Sequence, residues 1–188
     1  LGLRTPLQAA LEVLKERHEQ AKALCRKLGY RSCAGLRGAE TLEASHHLVA
    51  AATLAMILQT NGLPRLQHLY LGFNGFGDAD MQALCKGLGR GAVPSLGTLS
   101  LAHNNFGPPG AEALAAALRK GAFPKLVFLE IQGNPIGNQG VAALAAPLRK
   151  LPALNQLFLS YCEIGDEGVA SLVDNLGKDD FKKLKQLW

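Results

Sequence analysis

The sequence is poor in aromatic residues, which make up 6% of its 188 positions and include a single tryptophan. Apolar residues nevertheless reach 48%, an ordinary proportion for a globular protein. The core must therefore be built from leucine, alanine and valine. A chain of this length usually forms one domain with ample material for a core.

Cysteine is also scarce. Its four residues form neither a C-x-x-C pair nor a regular framework; they are Cys25, Cys33, Cys85 and Cys162. This spacing argues against a disulfide-rich secreted scaffold and favours reduced thiols. We therefore expect a reducing, intracellular compartment: the cytoplasm, with the nucleus or an organelle matrix as alternatives.

Long apolar runs and catalytic motifs are both missing. No apolar run reaches the ~18–20 residues of a membrane span, and no H-E-x-x-H, G-x-S-x-G or G-x-x-x-x-G-K-[ST] pattern occurs. The glycine-rich segment 87–91 follows a predicted helix, whereas a phosphate cradle precedes one. The neighbouring His46 and His47 would stand ~100° apart on a helix, a poor arrangement for chelation. We predict no membrane span, no catalytic residues, no metal and no cofactor.

The chain is mildly basic, with a net charge of +5. Many cations stand late in predicted helices, where they complement the negative helix end. These are Lys86, Arg90, Arg119, Lys120, Arg149 and Lys150. Because the basic residues are dispersed and not interleaved with aromatic residues, we expect no nucleic-acid partner.

From residue 64 onward the chain repeats itself. The segments PRLQHLYLGFN, PSLGTLSLAHN, PKLVFLEIQGN and PALNQLFLSYC begin at Pro64, Pro94, Pro124 and Pro152. Their first leucines, and Leu184 of a fifth copy that is cut short, follow one another at steps of 30, 30, 28 and 30 residues. Such a period predicts stacked repeats. Since the fifth copy stops at its strand and the chain does not begin with methionine, we expect a part of a longer protein.

Each unit has two halves. The first alternates apolar and polar residues and predicts a short strand. The side chain at its ninth position is expected to hydrogen-bond to the backbone of the following turn. This position is held by Asn74, Asn104, Asn134 and Cys162. The second half opens at a glycine and predicts a helix, marked by leucine pairs four residues apart. These pairs are Leu84/Leu88, Leu114/Leu118, Leu144/Leu148 and Leu172/Leu176.

Residues 1–63 are predicted to form a helical N-terminal cap, and residues 64–188 four full repeats and a truncated fifth. The segment Thr5-Pro6-Leu7-Gln8 has the pattern of a capped helix start. An apolar stripe then runs from Leu7 to Leu28. Residues 44–59 predict a second helix, belonging to a repeat whose strand has degenerated. The cap is expected to cover the open apolar end of the first repeat. Alternatively, in a longer parent protein, this segment is a linker helix or a degenerate repeat.

The unit L-x-x-L-x-L-x-x-N-x-h-G-x-x-G-h-x-x-L resembles the ribonuclease-inhibitor-like subclass of leucine-rich repeats. Gly110, Gly140 and Gly168 fit its second glycine, and Asp80 departs from it. The subclass includes ribonuclease inhibitor, Ran GTPase-activating protein, tropomodulin and the sensor ends of innate immune receptors. The resemblance implies an α/β right-handed solenoid, or horseshoe, with parallel strands on the concave side and helices on the convex side.

The third, fifth and seventh places of each strand point away from the core. Large side chains there are not required for folding, so they predict a surface that binds a protein partner. The predicted concave residues are His68, Tyr70, Phe128, Glu130, Gln132, Gln156, Phe158 and Trp188, and the rim residues are Phe73, His103 and Tyr161. The small residues Gly72 and Ala102 leave room for an anchor of the partner. Alternatively, downstream chain covers Phe158 and Trp188.

These observations predict a non-catalytic protein-protein interaction module or scaffold, acting alone or as a subunit of a larger complex. One alternative, implied by the resemblance alone, is a regulator of a small GTPase. Another is a sensor or spacer segment of an innate immune-type receptor or a cytoskeletal protein. The sequence does not identify the partner.

Overall fold

The computed structural model describes residues 5–60, 62–89, 91–174 and 176–188. Helices and short strands alternate along these ranges. The helices are α1 Pro6–Lys27, α2 Cys33–Arg37, α3 Ala51–Gln59, α4 Asp78–Gly87, α5 Pro108–Arg119, α6 Gly137–Arg149 and α7 Asp166–Val173. The strands are β1 Thr41–Glu43, β2 His68–Tyr70, β3 Thr98–Ser100, β4 Phe128–Glu130, β5 Gln156–Phe158 and β6 Gln186–Leu187.

The strands form one parallel sheet in the order of the sequence, from β1 to β6. Every strand pairs with the next so that the central leucines align: Leu42, Leu69, Leu99, Leu129, Leu157 and Leu187. Consecutive helices from α3 to α7 pack on one another behind the sheet. The α/β solenoid predicted from the repeats is therefore confirmed.

The core lies between the sheet and the helices. Leu66, Leu69 and Leu71 of the first full unit have no exposed surface, and their equivalents in the next units are similarly buried. Leucine dominates this core, as expected. Three phenylalanines also rank among its largest fully buried side chains: Phe76, Phe106 and Phe123. The few aromatic residues are thus divided between the core and the surface.

The ninth-place asparagines form a ladder of hydrogen bonds between units, as predicted. Asn104 Nδ2 donates to the carbonyl oxygens of Leu101 (2.9 Å) and Leu71 (3.0 Å). Its Oδ1 accepts from the backbone N–H groups of Asn74 (3.1 Å) and Phe76 (3.0 Å). Each such side chain replaces hydrogen bonds that the bending backbone loses. Cys162 serves the same place by donating from Sγ to the carbonyl oxygen of Ile131 (3.2 Å).

The second glycines allow each helix to pack closely on its own unit and on the preceding one. A Cβ at Gly140 would lie 2.8 Å from Ile136 Cβ and 3.0 Å from Ala111 Cβ. A Cβ at Gly168 would lie 2.6 Å from Ile164 Cγ2 and 2.7 Å from Asn138 Oδ1. The first helix of this type, α4, carries Asp80 at this place, and the Asp80 carboxylate accepts a hydrogen bond from the Gly77 N–H.

The N-terminal region differs from its prediction. The start of α1 is as expected, because Thr5 and Gln8 form a reciprocal capping box. The apolar stripe is not buried along its length: Leu7 is 80% exposed and Leu14 61% exposed. Only the last part of α1, including Leu24, joins the core. Most of the stripe is therefore left uncovered by the described chain.

Two predicted helix boundaries are wrong. Residues 41–43 form β1, and α3 begins at Ala51 rather than Ala44, because the intervening chain turns from the strand into the helix. The sequence concealed β1 since Ala39 and Ala44 stand in place of two leucines and the unit is shorter: Leu42 aligns with Leu69, 27 residues later. At the other end, α7 ends at Val173, and Leu176, predicted to be helical, lies beyond it and is 50% exposed.

Candidate functional site

The sheet register aligns the outward-pointing residues into columns on the face opposite the core. The third-place column consists of Thr41, His68, Thr98, Phe128, Gln156 and Gln186. The fifth-place column consists of Glu43, Tyr70, Ser100, Glu130 and Phe158, and Trp188 extends it because its N–H donates to the carbonyl oxygen of Leu157. The candidate residues of the concave face therefore lie on one continuous surface.

Three large rings gather at the C-terminal end of this surface. Phe128 on β4 and Phe158 on β5 are half-buried, while Trp188 is 61% exposed. The rings of Phe158 and Trp188 are nearly parallel, with centroids 6.3 Å apart and an interplanar angle of 6°. We call these three residues the aromatic end.

A second, smaller ring pair stands on β2. The rings of His68 and Tyr70 lie side by side with centroids 6.5 Å apart and an interplanar angle of 8°. The His68 Nδ1 atom is 3.0 Å from the Thr98 hydroxyl oxygen. This contact connects β2 to β3 on the concave face and fixes the imidazole ring.

Strand β3 forms the floor between these two sets of rings. Thr98, Ser100 and Ala102 are only 8%, 6% and 5% exposed. A Cβ at Gly72 would come within 3.2 Å of the Ala102 carbonyl oxygen, so the floor beside β2 is already closely packed. We call the strip formed by Thr98, Ser100 and Ala102, between the larger side chains of β2 and β4, the trough; its residues are themselves largely covered.

Polar acceptors line the trough beside the aromatic end. Glu130 lies opposite Ser100 on β3 and Phe158 on β5 in the sheet register. Within the described residues its carboxylate has neither a hydrogen bond nor an ion pair. Gln132 lies two residues further along the same face, and its buried Oε1 accepts no hydrogen bond. Gln156 is half-buried next to Phe128 in the third-place column.

The rim carries a stack of rings. Phe73 stands between His46 and His103, with centroid distances of 4.3 and 4.5 Å and interplanar angles of 11° and 15°. Tyr161, the third predicted rim residue, is 87% exposed. Sequence reasoning missed His46 as a rim residue, because its equivalence to Phe73 becomes visible only with the register of β1.

The backbone of the rim is held in the left-handed region. His46, Phe73, His103 and Tyr161 have φ values of 61°, 56°, 51° and 57°, and Gly133, at the same place in its unit, has 69°. Glycine adopts this conformation freely, whereas other L-residues lose about 1–2 kcal/mol in it. The turn thus requires the conformation, and Gly133 indicates that the turn itself does not need a ring.

The structure brings together two cysteines that the sequence left separate. Cys25 Sγ of α1 lies 3.4 Å from Cys33 Sγ of α2, beside an open cleft of about 320 Å³. Burial, and then the hydrogen bond with Cys33, raises the pKa of the Cys25 thiol to about 11. At neutral pH Cys25 is therefore a protonated thiol.

The described residues also bear on metal binding and membrane insertion. No group of three or more histidine, cysteine or acidic side chains is arranged to hold a metal ion in this part of the chain. Among the helices described, none combines the length and apolar character needed to cross a bilayer.

Comparison with known proteins gives a family match over the repeats. The family described as Leucine Rich repeat matches residues 63–85, 94–115, 124–145 and 152–173. A search of curated proteins finds no match.

Similar solved structures include an internalin (inlF) from Listeria monocytogenes, with 22% identity and a TM-score of 0.41. They also include the Rad7 and Elc1 complex in yeast, with 16% identity and a TM-score of 0.40. The internalin match covers 72% of this chain and 30% of the internalin chain. The yeast match covers 73% of this chain and 39% of the other. This chain thus spans well under half the length of either protein.

Proposed function

We propose that this leucine-rich repeat protein is a non-catalytic scaffold that binds a protein partner on its concave face. Leucine-rich repeats generally mediate protein-protein interaction, and repeat solenoids offer extended concave surfaces for it. The proposed contact surface extends over the concave face from β2 across the trough to Trp188, with the aromatic end as its anchor region. It includes His68, Tyr70, Phe128, Glu130, Gln132, Gln156, Phe158 and Trp188.

The aromatic end is the observation that carries this proposal. Phe128, Phe158 and Trp188 lie on the sheet face opposite the core, and all three retain exposed surface. The core is complete without them, because leucines on the other face of the same strands fill it. Exposed aromatic side chains are the usual anchors of protein interfaces, and truncating the best of them weakens binding by about 2 kcal/mol or more.

The rim supports the same side of the molecule as the contact surface. Phe73, His103 and Tyr161 keep large rings in a backbone conformation that favours glycine. A ring retained there against a conformational penalty is expected to have a role outside folding. We propose that these residues flank the bound partner.

We assign the repeats to the ribonuclease-inhibitor-like subclass because the units are 28–30 residues long and carry α-helices behind the sheet. In this assignment residues 1–63 are the N-terminal cap region and residues 64–188 the main repeats. We also propose a reducing, intracellular location. In support, Cys25, Cys85 and Cys162 are buried, where thiols pack as small apolar groups.

The test compares the proteins that tagged baits capture from native extract. The baits are the parent chain, its Phe128→Ala/Phe158→Ala variant and one control. The proposal predicts that a protein captured by the parent is lost from the variant while thermal stability stays nearly unchanged. Capture of the same proteins by both baits would show that binding occurs elsewhere. A Gln82→Ala bait, altered on the exposed surface of α4, serves as the matched control.

A further inference from the structure

Charge on the concave face differs in sign from the charge of the whole chain. The third-, fifth- and seventh-place residues of the described strands include two carboxylates, Glu43 and Glu130, and no lysine or arginine. The chain as a whole carries a net charge of +5. Its cations therefore lie outside this face, and the face itself offers a negative surface to a partner.

Glu130 is the carboxylate that lies among the rings. Phe158 is its register neighbour on β5, and Phe128 precedes it by two residues on the same side of β4. Neighbouring strands stand about 4.8 Å apart and residues two apart on one strand about 6.6 Å apart, so both rings belong to residues adjacent to Glu130 on this face. On the other side, the register neighbour of Glu130 on β3 is Ser100, a small residue that is itself 6% exposed.

Glu130 carries a charge that no described group pairs. Its side chain is half-buried, and its carboxylate has no hydrogen-bond or ion-pair partner in the described part of the chain. A partner that covered this carboxylate without pairing it would remove its hydration, which is unfavourable for a charged group. The site therefore favours a ligand that brings N–H donors and a positive charge to Glu130.

We infer that the partner inserts an arginine side chain here, with its guanidinium group paired to Glu130 and stacked against Phe158 or Phe128. This inference rests on the proposed function and names the chemistry of the partner. The guanidinium group is planar, always charged and carries five N–H donors in a fixed fork. It can pair with a carboxylate through two parallel hydrogen bonds and stack on an aromatic face.

Lysine fits the same surface less well. Its ammonium group supplies charge and three donors, but it is compact, strongly hydrated and lacks a flat face for stacking. An aromatic or aliphatic anchor would leave the charge of Glu130 without a partner. Arginine is therefore the side chain that suits both the carboxylate and the neighbouring rings.

The experiment uses three small probes on the isotopically labelled chain: the N-acetyl amides of arginine, lysine and citrulline. Citrulline has nearly the shape of arginine without its charge. We expect arginine to cause saturable NMR shifts of the Phe128 and Phe158 rings and of the Glu130 side chain, with a Kd on the order of millimolar. Lysine should bind more weakly, and citrulline about tenfold more weakly or not at all.

Two conservative variants locate the effect. Glu130→Gln should weaken arginine binding by about tenfold or more, whereas Glu43→Gln, at the far end of the same column, should leave it unchanged. Thermal melting checks that both variants fold. Absence of saturable shifts, equal binding of citrulline, or unchanged binding to Glu130→Gln would overturn the inference.

The arginine experiment and the capture experiment can fail independently of each other. If arginine does not bind but the captured partner is still lost from Phe128→Ala/Phe158→Ala, the inference is wrong and the concave-face proposal stands. If the captured partner survives that double substitution, the concave-face proposal fails whatever the arginine probe shows.

Discussion

Phe73 and His103 stack with ring centroids 4.5 Å apart, although both residues have a left-handed backbone, with φ values of 56° and 51°. The repeat itself produces this arrangement. Each unit turns in the same way after its strand, so equivalent residues stand above one another and their rings meet. A contact between residues 30 positions apart is thus fixed by the period of the sequence.

The rim conformation leads to a prediction at Tyr161, which is 87% exposed and has a φ of 57°. Tyr161→Asn should maintain or slightly raise the free energy of unfolding, because asparagine tolerates the left-handed region. Tyr161→Val should lower it by about 1 kcal/mol, because a β-branched residue is strained there. Urea denaturation of the two variants measures the difference. Equal stability of both would contradict a left-handed backbone at this residue.

The asparagine ladder predicts unequal effects at two equivalent residues. Asn104 both donates and accepts, whereas Asn134 Oδ1 accepts no hydrogen bond. Asn104→Ala removes the side-chain hydrogen bonds to five backbone groups and should reduce the free energy of unfolding by about 3 kcal/mol or more.

Asn134→Ala should reduce it by less, because only its donors are lost. Asn104→Cys should recover part of the loss, since Cys162 already fills this place in the next unit but one. Denaturant unfolding ranks the three variants. Equal losses at Asn104 and Asn134 would argue against the acceptor role of Asn104.

Close packing at the helix starts predicts that Gly140→Ala is destabilising. The added Cβ would lie 2.8 Å from Ile136 Cβ and 3.0 Å from Ala111 Cβ, so neighbouring atoms must move. Overpacking of this kind lowers the free energy of unfolding by about 1–3 kcal/mol. Gly89→Ala is the matched control, because nothing lies within 4 Å of its added Cβ. Similar melting temperatures for the two variants would refute the packing explanation.

Burial of Cys85 predicts a loss of stability in alkali. Burial raises the pKa of its thiol from 9.0 to about 12, so the folded chain holds this proton more tightly than the unfolded chain. The stability that the protonated Cys85 thiol contributes is fully present below the pKa of the unfolded chain. It is lost as pH rises from about 9 towards 12.

The parent chain should therefore lose more free energy of unfolding than Cys85→Ala between about pH 8 and about pH 10.5. Comparison of the two chains, in a reducing buffer, isolates this thiol from the lysines and tyrosines that titrate in the same range. Parallel losses in both chains would mean that Cys85 is not buried as described.

The repeats could be predicted from the sequence because each unit is specified by short patterns that recur at a fixed period. Leucines such as Leu69 and Leu99 repeat at the spacing that one unit needs, and Asn74 and Asn104 mark each turn. The first strand, β1, was missed because alanines replace two of its leucines. Tertiary pairing with β2 specifies it, as Leu42 aligns with Leu69.

The columns of the concave face were also predictable, since alternation along a strand decides which side chains point outward. The sequence could not show that Cys25 and Cys33 approach within 3.4 Å, or that His46 joins the rim stack. Both contacts depend on how the N-terminal helices pack. Nor could the sequence show that Leu7 and Leu14 are exposed, because an apolar stripe has the same period whether or not anything covers it.

Site-directed photo-crosslinking tests the concave-face proposal most directly. A photo-reactive amino acid replaces Gln156, on the concave strand β5, in one version of the chain and Gln82, on the convex helix α4, in another. Binding on the concave face predicts that the protein captured by the parent chain becomes covalently linked through position 156 and not through position 82. Linkage through position 82 alone would place the partner on the helical side and contradict the proposal.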